Sequence, residues 1–173
     1  ADAAVRFYGK VFGWTFQAFP AQRGPGYRLA FSEGEPVGGV LEREHAHQKT
    51  PGSRWVGMIS VDDVKAAARY AADRGGKVIV APRSLPGRGV VALLEDPEGA
   101  SFGVMRSSSG DPPDYLAEDR QWLWVELWTV DVPAAVGFYG TLFGYEARSV
   151  AVAGKDYTLF ERDSTPMAGL LKI

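Results

Sequence analysis

The sequence predicts an α+β protein built from repeated βαβββ modules, and three observations predict it. A twelve-residue run, Ala3-Ala4-Val5-Arg6-Phe7-Tyr8-Gly9-Lys10-Val11-Phe12-Gly13-Trp14, aligns with Ala134-Ala135-Val136-Gly137-Phe138-Tyr139-Gly140-Thr141-Leu142-Phe143-Gly144-Tyr145, and eight of the twelve positions are identical. A fainter copy lies between them: Asp63-Val64-Lys65-Ala66-Ala67 matches Asp131-Val132-Pro133-Ala134-Ala135. Short extended runs with turn signals between them follow the copies. Ala3, Ala66 and Ala134 are thus equivalent, at spacings of 63 and 68 residues, the period of a stacked supersecondary unit. The expected form is paired, open half-barrels: cup-shaped mixed sheets with the helices outside.

Each unit reads alike. An apolar strand leads to an Asp able to cap a helix N-terminus, about three helical turns follow, and glycine (Gly13, Gly75-Gly76 or Gly144) closes them. In the middle unit the leading strand is Trp55 to Val61, the cap Asp63 and the helix about Val64 to Arg74. Its three strands are Lys77 to Ala81, Gly89 to Glu95 and Ala100 to Arg106, the last two joined by the turn Asp96-Pro97-Glu98-Gly99. The third unit has a strand Leu123 to Val130 and a helix from about Pro133 to Leu142. Proline sits early there, where its missing N–H costs nothing. The first unit begins directly with its helix. The expected organisation is therefore residues 1–106 as a two-module domain without its first strand, 107–120 as a linker and 121–173 as the first module of a second domain. Ser107-Ser108-Ser109-Gly110-Asp111-Pro112-Pro113-Asp114 marks the boundary, and the chain reads as part of a four-module protein.

Composition narrows the function classes. With 46% hydrophobic residues and a net charge of -2, the chain has material for a core and lacks the basic excess of a nucleic-acid binder. It has no cysteine, which removes disulfides, thiolate metal sites and a cysteine nucleophile. No run approaches the roughly 20 apolar residues of a membrane-spanning helix. A cytoplasmic location is the expectation, since a chain without cysteine suits a reducing compartment.

Strand alternation sorts side chains by face. In the run 123–130, Trp124, Glu126 and Trp128 share one face, and Val125, Leu127 and Thr129 the other. The aliphatic set suits packing beneath the module's own helix, with Val136, Phe138, Tyr139, Leu142 and Phe143 as that helix's core positions. The aromatic set then faces the concave side. An acid between two tryptophans is expected to be partly desolvated, able to accept a ligand proton or act as a catalytic base. Equally, Glu126 can bond to a nearby tyrosine or backbone N–H and serve the fold alone. Trp124, Glu126, Trp128 and Met58 are the expected ligand-binding residues, with Glu126 the candidate catalytic one.

The phrase FYG-x-(V/L)-F-G-(W/Y) after a helix start, seen twice, and VDDV-x-AA followed by LLEDPEGASF resemble the vicinal oxygen chelate superfamily: glyoxalases, bleomycin-resistance proteins and extradiol dioxygenases. The resemblance covers nearly the whole chain, and the tandem arrangement is most similar to the glyoxalase-like four-module branch. It implies small-molecule binding and, in the enzymes, a divalent metal held by His and Glu. The positions the resemblance assigns to those ligands hold Val56, Trp124 and Gly103, none of which coordinates a cation. No metal or other cofactor is therefore expected on the residues in view. His45 and His47 form the one H-x-H pair, which reads as a polar loop, since a metal site needs further ligands. No G-x-S-x-G elbow, P-loop or dinucleotide fingerprint is present. The leading expectation is a metal-independent protein that binds a small organic molecule. The alternatives are a metal-dependent dioxygenase or glyoxalase-like lyase with ligands elsewhere, and a scaffold whose cup mediates self-association. The expected partners are a small-molecule ligand and either a second copy of the chain or a fourth module, with no nucleic acid and no membrane.

Overall fold

The structure is a computed structural model that describes residues 1–19, 26–41, 53–110, 117 and 119–173. The repeat is realised as three open sheets and three helices among these residues, an α+β architecture. The chain divides into two compact units: Ala1–Ser53 with Tyr115–Leu123, and Arg54–Asp114 with Trp124–Ile173.

The first unit holds helix α1 (Asp2–Phe12) and an antiparallel meander of β1 (Thr15–Phe19), β2 (Tyr27–Ser32) and β3 (Glu35–Leu41). Gly13 ends α1 at φ 69°, a left-handed conformation that favours glycine. Trp14, Ala30 and Val37 form a small core with Tyr8 and Phe16 against it. The Trp14 indole donates to the Arg120 carbonyl at 2.8 Å, and the Trp122 indole donates to the Val37 carbonyl.

The second unit contains two complete modules. One consists of β4 (Met58–Ser60), α2 (Val64–Asp73), β5 (Lys77–Leu85), β6 (Gly89–Glu95) and β7 (Ser101–Ser107), in sheet order β4-β7-β6-β5. The other consists of β8 (Glu126–Thr129), α3 (Val132–Phe143), β9 (Glu146–Val152), β10 (Lys155–Arg162) and β11 (Thr165–Lys172), in order β8-β11-β10-β9. In both, the leading strand runs parallel to the last and the other pairings are antiparallel. The helix starts follow the sequence: Asp63 Oδ1 accepts from the amides of Lys65 (2.8 Å) and Ala66 (3.0 Å), and Asp131 Oδ1 from Ala134 (3.0 Å). The leading strands are shorter than the sequence suggests. As edge strands they have one neighbour, and only the residues opposite that neighbour make a ladder.

One face of each sheet packs on its helix, as alternation requires. Ala92, Leu94, Phe102 and Val104 meet Val64, Ala67, Ala68 and Ala71, while Phe160 and Leu170 meet Phe138, Tyr139 and Phe143, all in one buried cluster. Leu127 packs against this cluster and Thr129 is buried, as expected, whereas Val125 is exposed. Phe102 joins the modules, with its ring 5.5 Å from Tyr139 and 6.0 Å from Phe143. The turn after β6 completes the joint. Buried Asp96 accepts from the amides of Glu98 (3.0 Å) and Ala100 (2.8 Å) and from the Tyr139 hydroxyl (2.8 Å). Glu98 accepts from the Thr129 hydroxyl (2.7 Å) and the amides of Val130 and Asp131, just ahead of α3. Module two thus covers Phe138, 6% exposed, whereas its sequence equivalent Phe7 is 59% exposed in the first unit.

Candidate functional site

The expected face of β8 exists, and its geometry is specific. Glu126 lies opposite Gly169 in β11, and Gly169 opposite Leu159 in β10. Trp128 donates its indole N–H to Glu126 Oε1 at 2.6 Å. Tyr157 donates its hydroxyl to Glu126 Oε2 at 2.7 Å and accepts the Trp124 indole N–H at 2.8 Å. Trp124, Tyr157, Glu126 and Trp128 therefore form one hydrogen-bonded chain across the sheet. Burial of the Tyr157 ring raises its pKa, the Trp124 donor lowers it, and the bond to Glu126 raises it again. The net direction is upward, so the phenol keeps its proton and remains the donor to the carboxylate. Glu126 has two bonds of the roughly four its lone pairs can accept, leaving room for a ligand donor.

The expected partial desolvation of Glu126 is not what the structure shows. Glu126 is exposed, with Trp124 39% and Trp128 63% exposed. The reason is local: both indoles turn their N–H edges into the polar chain rather than closing over the carboxylate. The tyrosine bond foreseen for a purely structural role is present. Its setting is an open face, however, where such bonds add little to stability.

Two side chains that the strand pattern had not singled out belong to this face. Arg148 lies opposite Leu159, and its guanidinium grips Glu161 through three bonds of 2.6 to 3.0 Å. Hydrogen bonding to Arg148 holds Glu161 below the usual carboxylate range. Tyr157 was also missed, although a signal for it exists. Tyr27, Leu29, Pro36, Gly39 and Leu41 recur at identical spacing as Tyr157, Leu159, Pro166, Gly169 and Leu171.

The register makes Gly39, Gly103 and Gly169 equivalent, opposite Leu29, Leu93 and Leu159. A β-carbon at any of the three collides with the side chain lying over it: Tyr27, Met58 and Tyr157 in turn. Met58, 54% exposed, thus holds in its own sheet the place of Glu126 in the other. Gly103 is confirmed in the last strand of its module, and glycine stands at the matching place in all three sheets. With Val56 and Trp124 these residues offer no oxygen or imidazole donor from their side chains, so they do not fit the metal of the related enzymes. Among the described residues, no cluster of three or more His, Cys, Asp or Glu side chains suits a metal. His45 and His47 lie outside the described residues. An open groove of about 380 Å³, lined by Lys65, Ala68, Arg69, Ala72, Val78 and Pro82, lies between α2 and β5 and includes none of the expected ligand-binding residues. No described helix is long and apolar enough to cross a membrane.

Three-strand meanders behind a glycine-closed helix, each with one face left open, define a βαβββ module protein. The chain belongs to the Glyoxalase/Bleomycin resistance protein/Dioxygenase superfamily, whose family model matches residues 1–104. The anthracycline biosynthesis protein DauV of Streptomyces sp. (strain C5) is 28% identical over 178 residues, covering 96% of this chain and 65% of the relative. CFP32 of Mycobacterium tuberculosis, provisionally named a glyoxylase, is 26% identical over 173 residues, 99% of this chain and 66% of the relative. The chain thus spans a little under two thirds of the length of these relatives. Among solved structures, 2,2',3-trihydroxybiphenyl 1,2-dioxygenase of Sphingomonas wittichii strain RW1 shares the fold, with a TM-score of 0.62 at 14% identity, covering 99% of this chain and 62% of that one.

Proposed function

We propose that the protein binds a flat, hydroxyl-bearing organic molecule on the open face of the β8-β11-β10-β9 sheet. The observation that carries this reading is the Trp124–Tyr157–Glu126–Trp128 chain, which presents a carboxylate with spare acceptor capacity between partly exposed indoles. The indoles supply apolar area to a planar ligand, and Glu126 accepts a proton from its hydroxyl. The name of the relative DauV suggests the probe: an anthracycline is planar, aromatic and hydroxylated. In this reading Glu126 is a binding residue, and it becomes a catalytic base only for a ligand whose acidic proton reaches it. Met58, over Gly103, is the corresponding contact in the second sheet. The sites in view act without a metal, because glycine, valine and tryptophan stand where the related enzymes carry ligands.

The test is titration of the intact protein with a soluble anthracycline, followed by tryptophan fluorescence. Saturable quenching is expected. Glu126→Gln, which keeps the shape and removes the charge, weakens it by about 10- to 100-fold, the scale of a charge-assisted hydrogen bond. Quenching of equal strength in Glu126→Gln, or none in either protein, overturns the reading. A metal-dependent reaction would show instead as stoichiometric divalent metal in the purified intact protein.

A further inference from the structure

The groove between α2 and β5 shares no residue with the face described above. Its volume of about 380 Å³ falls at the lower end of the range for small-molecule pockets, roughly 300–1,000 Å³. Lys65, Ala68, Arg69 and Ala72 recur at the spacing of one helical face, so the α2 wall carries two cations beside small apolar side chains. Both cations are exposed, and among the described residues neither side chain makes a hydrogen bond or ion pair. No carboxylate lines the groove. Asp63, just ahead of α2, has its Oδ1 committed to the amides of Lys65 and Ala66, and Glu95 faces Lys77.

This charge pattern works against the helix that carries it. Lys65 stands in the first turn, where the partial positive charge of the helix end disfavours a cation, and it lies one turn from a like charge. The other modules do not repeat the pattern. With Ala3, Ala66 and Ala134 equivalent, the two positions hold the opposite charges Asp2 and Arg6 in α1, and Pro133 and Gly137 in α3. The β5 wall is also particular to this module. Val78 lies opposite Leu94, Val80 opposite Leu93 and Arg83 opposite Val91, so the strand gains an extra residue on each side of Val80. These shifts fall between Val78 and Pro82, the two residues β5 gives to the groove. Such shifts re-aim side chains at sheet edges. Edge position alone does not call for them, because β1 and β9 are edge strands too and pair in unbroken register.

We propose that this groove is a binding site for a small organic acid. Lys65 and Arg69 hold its carboxylate, and its apolar body lies along Ala68, Ala72, Val78 and Pro82. The anion relieves the repulsion of the two cations from each other and from the helix end. The apolar body covers Val78, which is otherwise 39% exposed. Two cations one turn apart match a single acid group, and the volume holds one small molecule, which favours a free acid over an acidic polypeptide.

The experiment titrates the intact protein, labelled with ¹⁵N-alanine, with decanoate, using decanol and acetate as the uncharged and short-chain controls. The amide signals of Ala68 and Ala72 are expected to shift saturably with decanoate and far more weakly with either control. The double variant Lys65→Gln, Arg69→Gln weakens decanoate binding about tenfold, the product of two exposed charge contacts of a few-fold each. Its melting temperature stays unchanged or rises, because neither cation serves the fold. Ala72→Glu, at an exposed helical position that suits glutamate, sets a carboxylate in the groove and abolishes the response with the fold kept. Undiminished binding in the double variant, equal binding of decanol, shifts confined to alanines outside α2, or no shift at all overturns the proposal. Displacement of decanoate by oligoglutamate at a concentration below that of decanoate itself overturns it in favour of an acidic polypeptide.

Discussion

Gly169→Ala adds one methyl group at the point where the two readings of Glu126, ligand contact or fold support, diverge most. The backbone there is ordinary strand, so alanine meets no backbone penalty and gains about 0.5–1 kcal/mol over glycine from the smaller entropy lost on folding. Against this, the new β-carbon collides with the Tyr157 hydroxyl and ring and sits 2.9 Å from the Trp124 indole nitrogen. Overpacking of this kind costs about 1–3 kcal/mol where side chains cannot leave. Tyr157 can leave, because it lies on an open face, so the net loss is expected at the lower end, about 0–1 kcal/mol. What must break are the Trp124–Tyr157 and Tyr157–Glu126 bonds. The variant should therefore unfold in urea almost like the parent, while its near-ultraviolet circular dichroism changes and its anthracycline binding is lost. A loss of several kcal/mol would assign the network to the fold. An unchanged near-ultraviolet spectrum with unchanged binding would refute the geometry altogether.

Other consequences concern the joint between modules two and three. Tyr139→Phe leaves buried Asp96 without its hydroxyl donor and should cost about 1.5–3 kcal/mol in urea unfolding, with the fold retained. Burial first, then the charge of Asp96, raises the Tyr139 pKa above its ordinary value of about 10. Its contribution is thus intact below about pH 10 and is lost as the pH climbs further, and Tyr139→Phe should flatten that alkaline decline in melting temperature. The Thr129 hydroxyl and the amides of Val130 and Asp131 lower the Glu98 pKa. That contribution is present above the ordinary value of about 4.3 and is lost as the pH falls through the lower folded value, so Glu98→Gln should show a shallower fall in melting temperature between pH 5 and pH 2.

Much of the fold could be read from the chain because local signals agreed. The Asp63 and Asp131 caps, the closing glycines and the Asp96-Pro97-Glu98-Gly99 turn all point to the same units. The FYG motif shows where local reading stops. Phe138 and Phe7 occupy the same motif position, yet one is buried under Phe102 and the other is exposed, since burial depends on what packs over the helix. Alternation also put Trp124, Glu126 and Trp128 on one face correctly. It could not reveal that the indoles would turn edge-on and leave the acid exposed, because the Trp124 indole takes its orientation from an acceptor on another strand. Tyr157 is that acceptor, and it and Arg148 are brought to the face by register, which is set by pairing rather than by the pattern within one strand. The Tyr-x-Leu and Pro-x-x-Gly-x-Leu recurrence was in the sequence, but its meaning as a close approach appears only when β2 and β3, or β10 and β11, are laid side by side.

The most direct test of the account is a crystal structure of the intact protein with an anthracycline bound. The account predicts the ring system lying along Trp124 and Trp128, with one of its hydroxyls donating to Glu126 beside Tyr157. Ligand bound only in the groove between α2 and β5, or the β8-β11-β10-β9 face filled by other parts of the protein with Glu126 sealed beneath them, would contradict it.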